Sequence, residues 1–353
     1  MPELKRITYI SNFSDKLNLK DIETIGEVSV RNNQRDGLTG SLLCFRGIFY
    51  QILEGPPEQV DLCYQRILAD ERHENIYVLK IETGTMQRDY KEWSMKTVIL
   101  DENTDAMMRP MKNLLDSFQL SHRTLEKYAP TTVLKGLQRG ENPLEWDFRK
   151  VEKIVLFSDI FSSTTFTEVL SLEAVTNILD SYYDIINAEI SKAGGTIAKL
   201  TGDGLMAYFD SHQADAALLA SRACLRQLSE LRAARQFAYS PYLYAGFGLS
   251  AGQVVTGSIG SSIKKDYTLL GDAVNTAARL EAVSRKTGYG LILSASLVDL
   301  LQDKSDIRKL GLYQPRGKTQ RLAIFTTADS RLDRSAAAIK HAIRDLEAAG
   351  NQD

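Results

Sequence analysis

An order of elements that occurs twice constrains this fold more than any single motif. Each half of the chain alternates strand and helix signals as β-α-β-β-α-β, and the halves meet at a loop, GENPLEW. In the first half RITYIS reads as a strand. LNLKDIETIGEVSVRNN reads as an amphipathic helix, with Asn18 at its N-cap and Asp21 three residues on. GLTGSLLCF and GIFYQILEG read as two strands joined by a tight turn at Arg46-Gly47. PPEQVDLCYQRILAD is a second helix, and prolines are tolerated in a first turn. NIYVLKIE and WSMKTVIL follow as strands. Two further helical patterns cover about 104–139, with a break expected near Gln119–His122.

The second half opens on the apolar strand KIVLFSDI. A helix is expected from Leu172 to Lys192, a hairpin over GGTIAKLTGDGLMAYFD, and a helix from Ala214 to Ala234. LYAGFGLSAGQVVTGSIG reads as further strands, and SRLDRSAAAIKHAIRDLEAAG as a helix outside the core. The expected class is α+β, two ferredoxin-like (βαββαβ) domains joined by a helical linker. The boundaries are 1–100 for the first domain, 101–150 for the linker, 151–328 for the second domain and 329–353 for a helical tail.

Composition narrows the partners. The 353 residues carry 43 basic and 45 acidic side chains, a net charge of −2, which gives no general field for nucleic acid or an anionic membrane. Cys44, Cys63 and Cys224 have no metal-ligand spacing and read as reduced thiols. The N-terminus lacks an apolar signal region and no run suits a membrane span, so a soluble, cytoplasmic protein is expected.

Two sets of polar residues need explaining. In GIFYQILEG both faces are apolar, yet Gln51 sits in the middle. A buried carboxamide without partners costs roughly 1–3 kcal/mol. Tyr9, on the first strand, can satisfy it from the same interior, and so can a ligand. In the second half Asp159 ends a strand and Asp203 sits at a hairpin tip between two glycines. Singly, each is an ordinary turn residue. Together, at equivalent strand ends, they can hold hard cations. Ser162, Ser163 and Thr164 follow Asp159 before a helix, where backbone amides meet phosphate. Asn275 and Arg279, four apart, share a helix face: a solvated polar stripe, or a surface on which something packs closely among Ala273, Ala277 and Ala278.

The motifs FSDI, KLTGDGLMAYF and KKDYTLLGDAVNTAARLE, over about 153–325, resemble the class III nucleotidyl cyclases. The resemblance implies that Asp159 and Asp203, with the Ile160 carbonyl, hold two Mg²⁺ ions per active site, or Mn²⁺ in their place. Arg279 would stabilise charge on the α-phosphoryl group of ATP and Asn275 would position the ribose. Both would reach across from a partner chain, which implies a homodimer. Ser163 and Thr164 would meet the phosphates. Lys199 can donate to adenine N1, Asp266 can accept from N6 and Thr268 adds a hydroxyl, a pattern that fits adenine and not guanine. Gly204 departs from the many relatives that carry a larger residue after the aspartate, and altered local rigidity is expected there.

The first half carries TYIS, NNQRDGLTG, FYQILEG, DERH and WSMKT in an order that resembles the BLUF domains, which sense blue light with bound FAD. The resemblance implies an isoalloxazine ring between the two helices, with Asn33 and Asn32 at its carbonyl edges. Arg31, Asp70, Arg72 and His73 would contact the flavin or its ribityl-phosphate side. Gln51 would change its hydrogen bonds to Tyr9 and the flavin after excitation, shifting absorption to the red, and Trp93 and Met95 would pass the change on. The whole chain resembles the photoactivated adenylyl cyclases, which make cyclic AMP and pyrophosphate from ATP. The rivals are a light-regulated guanylyl cyclase, a photosensor with a non-catalytic nucleotide-binding domain, and a flavin redox enzyme.

Overall fold

The computed structural model describes residues 3–13, 19–45, 48–85, 87–90, 93–95, 108–237, 239–261, 263–314 and 321–350. The expected cap at Asn18, the turn at Arg46-Gly47 and the strand residues 96–100 lie outside these. The chain divides into two compact units, Met1–Glu145 and Trp146–Asp353.

The first unit runs β1 (Glu3–Phe13), α1 (Leu19–Arg35), β2 (Thr39–Phe45), β3 (Ile48–Gly55), α2 (Pro57–Leu68), β4 (His73–Thr85), β5 (Trp93–Met95), α3 (Met108–Tyr128) and α4 (Thr131–Gln138). Its sheet has the order β4-β1-β3-β2-β5, and β5 joins β2 in parallel. The first four strands keep the expected βαββαβ arrangement. Their core gathers Ile7, Tyr9, Phe49 and Leu53 from the sheet with Ile25 of α1 and Val60 and Tyr64 of α2. Glu54 is fully buried at the end of β3. Burial alone would raise its pKa, but hydrogen bonds from Asp89 N–H, Arg6 and Tyr90 N–H outweigh that and hold it below the usual value. These bonds tie the segment before β5 to the central strand.

The helical segment differs from its sequence reading. α3 continues through Gln119–His122, and the break falls at Pro130. No glycine or proline interrupts 119–122, whereas Pro130 disfavours a helical residue before it and supplies the fixed φ of a new helix start. Both helices pack within the first unit. Tyr77 donates to Glu126, Phe118 packs on Ile10, Ile48 and Tyr77, and Tyr64 Oη donates to the Gln138 carbonyl at 3.2 Å.

The second unit runs β6 (Arg149–Ile160), α5 (Ser163–Val169), α6 (Leu172–Lys192), β7 (Thr196–Leu200), β8 (Gly204–Asp210), α7 (Ala214–Ala234), β9 (Ala245–Gly260), β10 (Lys265–Leu270), α8 (Asp272–Thr287), β11 (Leu291–Ser294), α9 (Ala295–Leu300), β12 (Ile307–Tyr313), β13 (Leu322–Thr327) and α10 (Ala336–Gly350). The sheet order is β12-β13-β11-β9-β6-β8-β7, with β10 paired to β9. The segment read as further strands is one 16-residue strand, β9. Its glycines add no turn: β9 pairs with β6 along the whole of β6, from Arg149↔Thr256 to Ile160↔Ala245.

The C-terminal helix is also a correction, because α10 belongs to the core. Ile339 and Ile343 are 0% exposed and join the main apolar cluster beside α5. They lie four apart, one helix face, and that face is what the unit covers. Cys44, Cys63 and Cys224 are buried free thiols, as expected. Among the described residues no helix is long and apolar enough to cross a membrane.

Candidate functional site

Each unit presents one candidate site. In the first, the register of β1 and β3 sets Tyr9 opposite Gln51. Tyr9 is fully buried, Gln51 is 4% exposed, and the Tyr9 hydroxyl donates to Gln51 Oε1. Burial raises the Tyr9 pKa well above the usual phenol value, so the donor is neutral. Half of the question raised by Gln51 is thereby answered: its oxygen is satisfied from inside the fold. Gln51 also lines a cavity of about 220 Å³ between α1 and α2.

Asn32, Asn33, Asp70, Arg72 and His73 line the same cavity. Arg31 does not; it is exposed on α1. Asp70 and Arg72 form an ion pair at 2.6 Å. His73 accepts or donates at Nδ1 to Ser11 Oγ at 2.9 Å, and burial lowers its pKa to about 4, so the ring is neutral. Trp93 and Met95 lie on β5, with backbones opposite Gly40 and Leu42 of β2; their side chains lie outside the described residues. The sequence reading missed Ser29, Cys63 and Arg66 in the lining. Helical period was the signal: Ile25, Ser29 and Asn32 form one stripe of α1, and Cys63, Arg66, Ile67 and Asp70 follow one face through α2 and its end.

In the second unit, β6 pairs with β8 so that Asp159 stands opposite Gly204, one residue past Asp203. The hairpin approaches closely because residue 204 has no side chain: a Cβ there would stand 2.5 Å from the Ser158 carbonyl oxygen and 3.1 Å from Asp159 Oδ1. The departure at Gly204 is thus a packing requirement of this site. Ser163, in the first turn of α5, donates to Asp203 Oδ2, and Thr164 beside it is exposed. Tyr183 Oη donates to the Gly202 carbonyl at 2.5 Å, which steadies the hairpin tip from α6.

Asp159 is the perturbed carboxylate. Burial, with a smaller push from Asp203, raises its pKa to about 6 despite Arg285. Its Oδ1 is buried without a partner, while Oδ2 accepts from Arg285. Arg285 also donates to Glu281, whose pKa burial raises to about 7. Sequence reasoning missed both, although Glu281 and Arg285 form an i, i+4 pair on the helix that carries Asn275 and Arg279. Asn275 is exposed, and Arg279 keeps a buried Nη1 without a partner. Lys199 on β7 and Asp266 on β10 meet at 2.9 Å, both half-exposed, and Thr268 follows Asp266 on β10. Among the described residues no three His, Cys, Asp or Glu side chains converge as metal ligands, so a cation here would rest on two carboxylates and backbone oxygen.

Comparison with known proteins follows the same division. Residues 4–96 match the BLUF family, sensors of blue light using FAD, and residues 148–327 match the adenylate and guanylate cyclase catalytic domain family. Photoactivated adenylate cyclase subunit beta of Euglena gracilis is 30% identical over 349 residues, covering 98% of this chain and 40% of its own length. The chain thus spans about two fifths of that relative. A bacterial light-regulated adenylyl cyclase structure superposes with a TM-score of 0.89 at 42% identity, covering 98% of this chain and 99% of that one. A second such structure gives 0.86 at 40%, covering 97% and 99%.

Proposed function

The chain belongs to the light-regulated cyclases that join a BLUF domain to a cyclase catalytic domain, and on that premise we propose that it converts ATP to 3′,5′-cyclic AMP and pyrophosphate under the control of blue light. One observation carries the catalytic half: two carboxylates meet at adjacent strand ends, and one of them, Asp159, keeps a buried oxygen with no hydrogen-bond donor. An orphaned anionic oxygen in a desolvated site calls for a cation, and an all-oxygen donor set suits Mg²⁺ or Mn²⁺. Asp159, Asp203 and the Ile160 carbonyl would hold it. When bound, two such ions supply Lewis acidity to the ribose 3′-hydroxyl and neutralise the triphosphate.

The remaining roles fall to side chains. Arg279 stabilises charge on the α-phosphoryl group, and its partnerless buried Nη1 fits a donor meant for an anion. Asn275 positions the ribose, and Ser163 and Thr164 meet the phosphates. The Lys199–Asp266 pair keeps a donor beside an acceptor, the complement of adenine N1 and N6, and Thr268 adds a hydroxyl. The cation at Asp159 within this chain is Arg285, not Arg279. That supports a homodimer in which Asn275 and Arg279 serve the carboxylates of a second copy. Leu114, Leu120, Leu125 and Tyr128, at 69%, 68%, 41% and 86% exposure along α3, leave apolar surface for such an assembly.

In the first unit the 220 Å³ cavity is smaller than the roughly 300–1,000 Å³ of sites that enclose a drug-sized ligand, and Asn32, Asn33, Gln51, Asp70, Arg72 and His73 in its lining would hold part of an FAD there. FAD supplies absorption of blue light and an excited state that draws an electron. Tyr9 is the phenol that hydrogen-bonds Gln51, donating to its side-chain oxygen. After excitation, reversal of that bond would leave the amide rotated or tautomerised, and a stronger bond from it to the flavin would shift absorption to the red. β3 pairs with β2, and β2 with β5, so the change has a path to Trp93 and Met95.

The test is an assay of purified protein with Mg²⁺ and either ATP or GTP, in the dark and under blue light. Light-dependent cyclic AMP is expected, and its absence refutes the proposal. Gln51→Leu should lose the spectral shift and the light response. Asp203→Ala should keep the shift and lose turnover.

A further inference from the structure

Arg285 has no part in the reaction as written, yet it joins Asp159 and Glu281 in the second unit. It sits in the last turn of α8, with Nη2 donating to Asp159 Oδ2 and Nε to Glu281 Oε1 at 3.3 Å. Its guanidinium lies 5.7 Å from the centre of the Phe161 ring. The three side chains are 32%, 26% and 11% exposed for Arg285, Asp159 and Glu281, so the ion pairs are largely out of water. Asp203 lies close enough for its charge to be felt at both acids.

Asp159 and Glu281 share one guanidinium, with the charge of Asp203 felt at both, so acidic groups outnumber the cation here. Oδ1 of Asp159 is open to one of the two proposed cations, but Oδ2 cannot serve the second while its lone pairs meet an arginine N–H. Glu281, one turn back on the same helix, offers the guanidinium a second acceptor that the proposed reaction does not use. Turning Arg285 from Asp159 toward Glu281 needs only side-chain rotation.

We propose that Arg285 is an internal counter-cation that competes with the divalent metal for Asp159, with Glu281 as the acceptor that retains it once Asp159 turns to the metal. Metal affinity at this site is then set by the cost of breaking the Arg285–Asp159 pair. Without the pair the carboxylates would repel one another and bind metal more tightly. The inference rests on the assignment of Asp159 and Asp203 to metal, and the test separates the two.

The test is direct Mn²⁺ binding by electron paramagnetic resonance, on full-length protein in the dark without nucleotide. Binding that disappears in Asp203→Asn belongs to the site. Arg285→Gln is expected to tighten that binding about tenfold, equivalent to about 1.4 kcal/mol. Arg285→Lys, whose single ammonium cannot bridge both acids, should tighten it by less, and it carries the comparison if the glutamine variant does not fold. A merely structural arginine would give the opposite sign, because loosening Asp159 weakens a metal site. The second readout is melting temperature. Arg285→Gln should melt below wild type without metal, and saturating Mn²⁺ should shrink the difference. Unchanged or weaker Mn²⁺ binding in both variants, or a melting difference that Mn²⁺ does not alter, overturns the proposal. If wild type binds no more Mn²⁺ than Asp203→Asn, the metal assignment itself fails and this inference with it.

Discussion

Gly248→Ala tests whether the seat of α8 on the sheet carries the activity. Gly248 lies in β9, and a Cβ placed there would stand 2.1 Å from the Glu281 amide nitrogen and 2.3 Å from the Ala277 carbonyl oxygen. Both obstacles are backbone of α8, so no side-chain rotation relieves them. To reach even 3.0 Å the helix must retreat by about 1 Å. α8 carries Asn275, Arg279, Glu281 and Arg285, so all four move with it. Overpacking of this kind costs typically about 1–3 kcal/mol. At about 2 kcal/mol the melting temperature of a unit this size falls by roughly 4–8 °C. A displacement near 1 Å at a catalytic constellation can cost on the order of 100-fold in rate. The assay is cyclic AMP formation in saturating blue light, with thermal unfolding of the same preparation. The spectral shift should be unchanged, because it arises in the other unit. Gly246→Ala is the graded comparison. There the nearest atoms are side-chain atoms, Ser284 Oγ at 2.0 Å and Phe161 Cε1 at 2.8 Å, so the loss should be smaller. Wild-type turnover in Gly248→Ala, or a greater loss in Gly246→Ala, would refute the reasoning.

Two further outcomes follow from burial. Ile339→Ala or Ile343→Ala should destabilise the second unit by about 2–5 kcal/mol, as expected for truncating a fully buried isoleucine; thermal unfolding unchanged by either would return α10 to the surface. Glu281, raised by burial to about 7 from an ordinary 4.5, binds its proton more tightly folded than unfolded, so its contribution is present below pH 4.5 and lost as pH rises to about 7. In chelator-treated protein, Glu281→Gln should therefore gain stability relative to wild type between pH 5 and pH 8, on the order of 2 kcal/mol, and denaturant midpoints that keep a constant gap across that range would contradict the assigned shift.

Periodicity made the architecture legible, and it failed where a decision rested on something other than period. The break in the α3 region was sought in the polar run Gln119–His122, but polar residues on a helix face solvent without ending it, and the backbone stops at Pro130. The stretch Ala245–Gly260 looked like several strands because glycines punctuate it. In the fold those glycines serve contact, since Gly246 and Gly248 admit α8 onto the sheet. The last helix looked detached because it follows the final strand, whereas Ile339 and Ile343 mark a buried face that chain order alone does not reveal.

The sites divide along the same line. Residues whose partners lie on a neighbouring strand were readable in advance: Tyr9 with Gln51, and Asp159 beside the Asp203 hairpin, because a period of two and a hairpin fix who meets whom. Arg285 was not, since its carboxylate partner lies 126 residues away on a strand and only the helix–sheet packing brings them together. Its local mark, Glu281 four residues before it, looks like any surface ion pair until burial is known. The glycines of β9 supply that missing knowledge. A helix seated directly on backbone carries its polar residues into the sheet-end site, and a pair worth little in water is there held largely out of it.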